Sequence, residues 1–301
     1  MELILLAIGV SILSLAAIFI KLSENQLDPN ATIFNRLWIA NLTLGLWKAI
    51  ERVRYRTSDD LSMPLKPYTI QDFALFLAGG GVGGLTLLFW AWSLTQTSVA
   101  NSTLLHNLVP IFATLGGWLF WGHYFDGKFI IGLVLSVGGA IAIGVEDLQL
   151  DRSHFVGDAI AFLSAVFYAA HYLIRQQLRG KFPVATVLLW DCIIACLLTL
   201  PIVLLTEDQL FPYSWEGWVA VISLGVFCQV IGQGIMTYSL KKFSAGFVSL
   251  FLMLEPLMTA IFAWLIFAER LSILNWVSFF VVLVGIYLAK SGQGAEQVIG
   301  D

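Results

Sequence analysis

Charged side chains are scarce in this 301-residue chain: Asp, Glu, Lys and Arg make up 12% of it, whereas 58% of the residues are hydrophobic. A soluble domain needs roughly a quarter of its residues charged to cover its surface. The apolar runs recur along the whole chain, so no segment is left that could form a separate soluble domain. This composition predicts a protein whose surrounding solvent is mainly lipid.

Several functional signatures are also missing. The net charge of -4 is small and spread among the loops, so no surface for nucleic acid is expected. The three cysteines, Cys192, Cys196 and Cys228, lie in apolar stretches without CxxC spacing, which is typical of buried core residues. The chain has no Walker A, HExxH or GxSxG motif. We therefore expect no enzymatic activity, no cofactor and no metal site.

One nucleotide-binding pattern is formally present, because Gly79, Gly81 and Gly84 satisfy GxGxxG. That fingerprint requires a preceding strand and a helix that starts at the glycines, whereas these glycines lie inside an apolar run. The pairs Gly79/Gly83 and Gly80/Gly84 instead form GxxxG motifs, which allow a second helix to approach closely. The pattern thus predicts helix packing.

Ten apolar stretches are long enough to cross a bilayer, which takes about 20 residues. The predicted spans are 3–20, 32–50, 73–94, 98–121, 129–145, 156–173, 184–205, 217–238, 244–267 and 273–289. Five of them lie in each half of the chain. We expect an all-α membrane protein with ten transmembrane helices.

Lysine and arginine are distributed unequally between alternate loops, and these residues resist translocation. With the N-terminus inside, the cytoplasmic loops and tail would hold Lys48, Arg52, Arg54, Arg56, Lys66, Lys128, Arg175, Arg179, Lys181, Lys241, Lys242 and Lys290. The outer loops would hold Lys21, Arg152 and Arg270, which leaves Arg36 as the one basic residue inside a span. Both termini are predicted to be cytoplasmic, in a plasma or bacterial inner membrane.

The two halves of the chain resemble each other. A shift of 146 residues places identical residues on one another in the fourth, fifth, ninth and tenth spans: Ser98 on Ser244, Pro110 on Pro256, Trp118 on Trp264 and Gly139 on Gly285. The predicted units are a first repeat over 1–146, a second over 153–290 and a cytoplasmic tail over 291–301. Because each repeat has an odd number of spans, the two would be inverted, an architecture found in transporters.

Four sequence motifs carry a resemblance to a known family. They are AWSLTQTSVANSTLL from Ala91 to Leu105, YSLKKFSAG from Tyr238 to Gly246, LEP from Leu254 to Pro256 and AERL from Ala268 to Leu271. Together with Arg36, they resemble the EamA family of the drug/metabolite transporter superfamily, as two tandem units over nearly the whole chain. The resemblance departs at His123, where the family often has Glu. It implies a ten-helix secondary transporter, often an exporter of amino acids or other metabolites.

Glu255 is the most informative single residue. About eleven residues of the ninth span precede it, which places it near the bilayer midplane at 1.5 Å per residue. An acid there is a candidate functional group, and its protonated form avoids most of the roughly 2.5–3.5 kcal/mol that the charged form costs. A proton is therefore an expected coupling partner. The alternative is that the carboxyl satisfies a backbone group freed by Pro256.

A central cavity lined by both repeats is the predicted substrate site. The residues expected in its wall are Glu255, His106, Asn107, Trp90, Gln229, Gln233, Arg36 and Asp191. Gln229 and Gln233 share a helix face and either join helices or line the cavity. Trp90 belongs either to an interfacial belt or to the cavity wall.

The two charged residues nearer the ends of spans carry open alternatives. Arg36 either reaches the membrane surface or a structural partner, or it binds a substrate carboxylate. Asp191 is expected to face protein or a water-filled cavity, because a carboxylate does not face lipid. Arg36 and Asp191 lie at opposite predicted depths and are not expected to pair.

The function predicted from these observations is secondary active transport of a small organic metabolite by alternating access, with the lipid bilayer and a small-molecule substrate as partners. A flippase for a lipid-linked substrate is the alternative within transport. A non-transporting membrane scaffold or sensor is the alternative outside it. Both a monomer and a homodimer are compatible with the sequence.

Overall fold

The computed structural model describes residues 1–23, 26–57, 68–144, 155–267 and 273–296. All the regular elements in these ranges are helical. The predicted basic residues Lys66, Arg152 and Arg270 lie outside the described residues, as do the AERL motif and the chain after residue 296.

The helices of the first half follow the apolar runs. They are α1 (Glu2–Ser14), α2 (Ala16–Ser23), α3 (Pro29–Thr57), α4 (Ile70–Leu94), α5 (Val99–His106), α6 (Val109–Trp121) and α7 (Gly127–Gly144). The second half contains α8 (Phe155–Lys181), α9 (Val184–Thr206), α10 (Trp215–Ser223), a π-helical segment (Leu224–Gly232), α11 (Gln233–Ser239), α12 (Ala245–Phe251), a 3₁₀ turn (Leu252–Leu254), α13 (Glu255–Phe267) and α14 (Ile273–Ser291).

Seven helical stretches within the described ranges are long and apolar enough to cross a membrane. They are Glu2–Ser23, Ile70–Leu94, Asn101–Trp121, Phe155–Lys181, Val184–Thr206, Trp215–Ser239 and Ile273–Ser291. Gly127–Ala142 and Ala245–Thr259 are shorter apolar helices. The helix α3 is long, but its second half is charged. The predicted count of ten spans, their inversion and the cytoplasmic position of both termini therefore stay predictions.

Two helices are interrupted just before a proline. Between α5 and α6 the break precedes Pro110, and between α12 and α13 it precedes Pro256. Proline lacks an N–H and its ring clashes with the carbonyl four residues earlier, which disrupts an α-helix at that point. Each interrupted helix also begins alike, because Ser98 and Ser244 accept a hydrogen bond from the backbone N–H three residues later. The residues matched by the 146-residue shift thus have the same local structure.

Glycines bring three pairs of helices into close contact. On α4, Gly80 and Gly84 pack against α9 at Ile194 and Ala195, while Gly79 and Gly83 face α8. This confirms that the GxxxG pairs pack against other helices. Elsewhere, α7 packs against α14 with Gly132 and Gly139 facing it. Of the cysteines predicted to be buried, Cys192 and Cys228 are buried and Cys196 is half-buried.

The α7–α14 contact can be tested with two alanine substitutions on one helix. A Cβ at Gly132 would meet backbone atoms of Gly285 and Ala289, whereas one at Gly138 would meet no atom within 4 Å. Gly132→Ala should destabilise the protein by about 1–3 kcal/mol through overpacking. Gly138→Ala should leave it unchanged or more stable, because alanine favours helix. The measurement is the thermal unfolding midpoint in detergent; equal midpoints for the two variants would contradict the predicted contact.

Candidate functional site

A cavity of about 1170 Å³ lies between helices of the two halves of the chain. All eight residues predicted for the substrate site line it, namely Arg36, Trp90, His106, Asn107, Asp191, Gln229, Gln233 and Glu255. They come from α3, α4, α5 and the break after it, α9, the π-helical segment, α11 and α13. The tertiary structure therefore brings together side chains that are more than 200 positions apart in the sequence.

A buried ion pair lies in the cavity wall. Arg175 Nε donates to Asp191 Oδ2 at 2.7 Å, and the two side chains are 1% and 3% exposed. His171 Nε2 lies 3.2 Å from the same oxygen. The second oxygen, Asp191 Oδ1, is buried without a hydrogen-bond partner among the described residues. Removing two charges from water is costly, so such a pair depends on the further hydrogen bonds that surround it.

The ion pair continues into a chain of polar contacts. Arg175 Nη1 donates to Gln233 Oε1 at 2.7 Å, and Gln233 Nε2 donates to the Tyr168 hydroxyl at 3.1 Å. These contacts connect α9, α8 and α11. The glycines of α4 make room for the network, because a Cβ at Gly83 would collide with the ring of His171. The GxxxG motif therefore shapes the cavity as well as the helix packing.

The sequence analysis missed three residues of this wall: Tyr168, His171 and Arg175. Its assignment of Arg175 to a cytoplasmic loop is wrong, because α8 continues to Lys181 and Arg175 is buried within it. Arg36 is consequently not the one basic residue within a membrane helix. Hydropathy ended the predicted span at 173, but the three side chains follow the i, i+3, i+7 spacing of a single helix face. That spacing was the signal available in the sequence.

Arg36 is held by a glutamine rather than by an acid. Its Nε donates to Gln229 Oε1 at 2.8 Å, and Gln229 Nε2 contacts Cys192 Sγ at 3.6 Å. Neither Nη nitrogen of Arg36 has a hydrogen-bond partner in the part of the chain that the structure describes. Gln229 and Gln233 thus each join helices and line the cavity, which combines the two interpretations of this pair. Arg36 and Asp191 have separate partners, as expected.

Glu255 is half-buried at the start of α13 and faces the cavity. Over the described ranges, no hydrogen bond or ion pair engages its carboxylate. It therefore does not satisfy a backbone group beside Pro256, which was the alternative role considered for it. Arg36 is the charged group whose attraction reaches Glu255, although no nitrogen of Arg36 lies within 4.0 Å of its oxygens.

Aromatic rings form a second part of the wall. The imidazole of His106 lies 5.4 Å from the ring of Trp90 and 5.3 Å from that of Tyr168, and it is stacked with the latter. His106 Nδ1 is 2.7 Å from Ser164 Oγ, which fixes the orientation of the ring. Trp90 lies in the cavity wall, with Nε1 buried and without a partner among the described residues. Asn107, half-buried, follows directly at the helix break.

The described residues contain no group of three or more His, Cys, Asp or Glu side chains placed to hold a metal ion. The cavity instead presents charged groups, amides and flat rings. These groups can bind an organic solute through ionic hydrogen bonds and stacking.

The buried ion pair yields a test by double substitution. Asp191→Asn should destabilise the protein by about 3–5 kcal/mol, because it leaves the Arg175 charge buried without an anion. The pair Asp191→Leu with Arg175→Met should recover most of that loss, since apolar side chains avoid the desolvation cost. Unfolding in detergent measures both, with Glu216→Gln on the exposed face of α10 as a control. Effects that simply add would show that the two side chains act independently.

Comparison with known proteins gives consistent matches. The model of the EamA-like transporter family matches residues 1–145 and again 155–290. An uncharacterised transporter of Archaeoglobus fulgidus is 23% identical over 294 residues, covering 96% of this chain and 97% of the relative. The pseudopaline exporter CntI of Pseudomonas aeruginosa is 24% identical over 225 residues, covering 74% and 78%. UDP-galactose transporter 1 of Arabidopsis thaliana is 24% identical, covering 64% and 59%.

A solved crystal structure superposes with a TM-score of 0.80 at 16% identity, covering 96% of this chain and 97% of the other. This likeness concerns the fold alone. The family matches cover most of the sequence in tandem, and the relatives are transporters over most of its length. This multi-pass membrane protein therefore belongs to the EamA-like transporter family.

Proposed function

We propose that the protein is a secondary transporter that exports small organic metabolites, such as amino acids, by alternating access. The observation that carries the proposal is the cavity of about 1170 Å³, walled by both halves of a multi-pass membrane protein. Binding cavities for small molecules commonly measure about 300–1,000 Å³. The cavity therefore has room for a metabolite together with water. The relative that is named an exporter supports the direction.

Helix contacts between the halves support the inverted repeat on which alternating access depends. Helix α1 packs on the π-helical segment, α11 and α13, while α8 packs on α4, α5 and α6. If α1 corresponds to α8, each repeat places its first helix against the third and fourth spans of the other. A two-fold axis in the membrane plane produces this exchange, and it allows the halves to swap conformations.

The two ends of the bundle differ in a way that fits one of the alternating states. The cavity wall reaches one end at Lys21, Pro29, Thr95 and Ser98. No residue at the other end appears in the wall among the described ranges. There, Arg179 donates to the carbonyls of Phe182 and Thr237 and holds α8 against α11.

Hydrogen bonds around Ser244 join more of the same packed end. Gln176 Oε1 accepts from Ala245 N at 2.6 Å, and Ser244 Oγ donates to Gly294 O at 2.6 Å. These contacts connect α8, α12 and the chain after α14. The arrangement supports a state with access from one end and a packed opposite end.

Proton coupling through Glu255 is part of the proposal. The charged or titratable groups around its carboxylate are Arg36 from α3, Tyr168 and Tyr172 from α8, and Cys228 from the π-helical segment. A carboxylate without hydrogen-bond partners in a membrane cavity changes its free energy strongly when it takes up a proton. A change of access can then couple to protonation if the two states stabilise the anion differently.

Metabolite comparison tests transport itself. Cells that produce the protein should accumulate less of at least one amino acid or related metabolite than cells without it, and vesicles should show flux of that solute. A non-transporting scaffold or sensor would produce no flux. If a lipid-linked fluorescent probe moves between leaflets and no soluble metabolite does, the flippase alternative replaces the proposal.

Replacement of Glu255 tests proton coupling. The Glu255→Gln variant should lose the pH dependence of flux, because an amide cannot take up a proton, while its shape and hydrogen-bonding reach are retained. Flux of the identified solute is measured against pH in vesicles with matched amounts of folded protein. Glu216→Gln, exposed on α10, should keep the wild-type profile. If Glu255→Gln keeps both rate and pH dependence, coupling through this residue is excluded.

A further inference from the structure

Two opposite charges face the cavity without an ion-pair partner. Deep in the wall, the charge of Arg175 is balanced by Asp191 at 2.7 Å. Arg36 and Glu255 have no such partner among the described residues. A buried charge left unpaired is costly, so a ligand that compensates both at once would gain most from binding.

The guanidinium of Arg36 is oriented and still has free donors. Gln229 Oε1 accepts the Nε hydrogen at 2.8 Å and thereby fixes the plane of the group. The two Nη nitrogens make no hydrogen bond within the described chain. Arginine binds carboxylates through two parallel N–H donors in one plane, and a held guanidinium loses little freedom on binding. Arg36 therefore provides a preformed carboxylate site.

The carboxylate of Glu255 has the complementary requirement. Its oxygens are acceptors, and no donor from the described residues reaches them. An ammonium group offers three donors and the opposite charge. A substrate ammonium would satisfy Glu255 as the ion pair with Arg175 satisfies Asp191.

The spacing of the two charges favours a ligand that carries both groups. They attract each other, yet no nitrogen–oxygen pair between them lies within 4.0 Å. In an α-amino acid the ammonium nitrogen and carboxylate carbon are about 2.5 Å apart by standard bond lengths. Adding an ionic hydrogen bond of about 2.7–2.9 Å at each end gives a reach of roughly 8 Å. Such a ligand would fill a gap of this kind.

We infer that the cavity binds a zwitterion, with its carboxylate on Arg36 and its ammonium on Glu255, while the rings of Trp90, His106 and Tyr168 contact its apolar body. This inference rests on the proposed function, because it names the class of solute for the same cavity. A simple amine or a simple acid would compensate one of the two charges and leave the other without a partner.

Matched ligands separate these classes. The probes are phenylalanine, phenethylamine and 3-phenylpropionate, which share one apolar body, and leucine with its amine and acid counterparts. Binding to the purified full-length protein is followed by calorimetry. At least one zwitterion should bind about tenfold or more tightly than its own amine and acid analogues, a difference of about 1.4 kcal/mol.

Substitutions then assign each charge. Arg36→Gln should abolish the preference for the zwitterion over its amine, and Glu255→Gln the preference over its acid. Lys128→Gln and Glu216→Gln, which remove exposed charges on α7 and α10, serve as controls and should keep both preferences. Thermal unfolding midpoints close to that of the wild type show that the variants are folded.

The results distinguish failure of the inference from failure of the proposed function. Flux of an identified metabolite together with no preference for either zwitterion would overturn the inference and leave transport standing. Preferences that survive both substitutions would show that other groups recognise the ligand. Zwitterion binding without any flux would support the inferred site and contradict transport.

Discussion

The ion pair between Arg175 and Asp191 is the interaction on which the cavity depends. It connects α8 to α9, and through Gln233 it reaches α11. A charged pair in a membrane protein cannot face lipid without a large cost, so these helices must keep their polar faces turned inward. Glycines of α4 allow that arrangement, since Gly83 leaves the space that the ring of His171 occupies. The packing motif and the polar site are therefore parts of one structural solution.

The remaining polar groups of the wall are arranged differently from this pair. The backbone is interrupted near Pro110 and Pro256, and His106 and Glu255 lie at the two interruptions. His106 is fixed by Ser164 and by stacked rings, whereas the carboxylate of Glu255 is left without a partner. A site that combines rigid walls with one uncompensated charge suits a transporter, because solute or proton binding can then change the relative stability of two states.

Membership of the EamA-like family establishes the membrane location and transport, but it does not name a solute. The printed names of relatives include a pseudopaline exporter and a UDP-galactose transporter, which differ widely in cargo. A shared fold accommodates many functions because specificity resides in the side chains of the site. For this chain those side chains are the free donors of Arg36, the carboxylate of Glu255 and the ring cluster around His106.

The sequence by itself determined the helical membrane class, the close packing at the GxxxG pairs and the helix breaks before the two matched prolines. It also identified eight side chains that share one cavity, because a polar residue in an apolar helix must avoid lipid. It placed Arg175 wrongly and did not identify Tyr168 or His171. Hydropathy averages over neighbours along the chain, whereas the burial of Arg175 is decided by Asp191 on the next helix. Only the tertiary structure brings that partner within 2.7 Å, and only there do Arg36 and Glu255 emerge as charges without one.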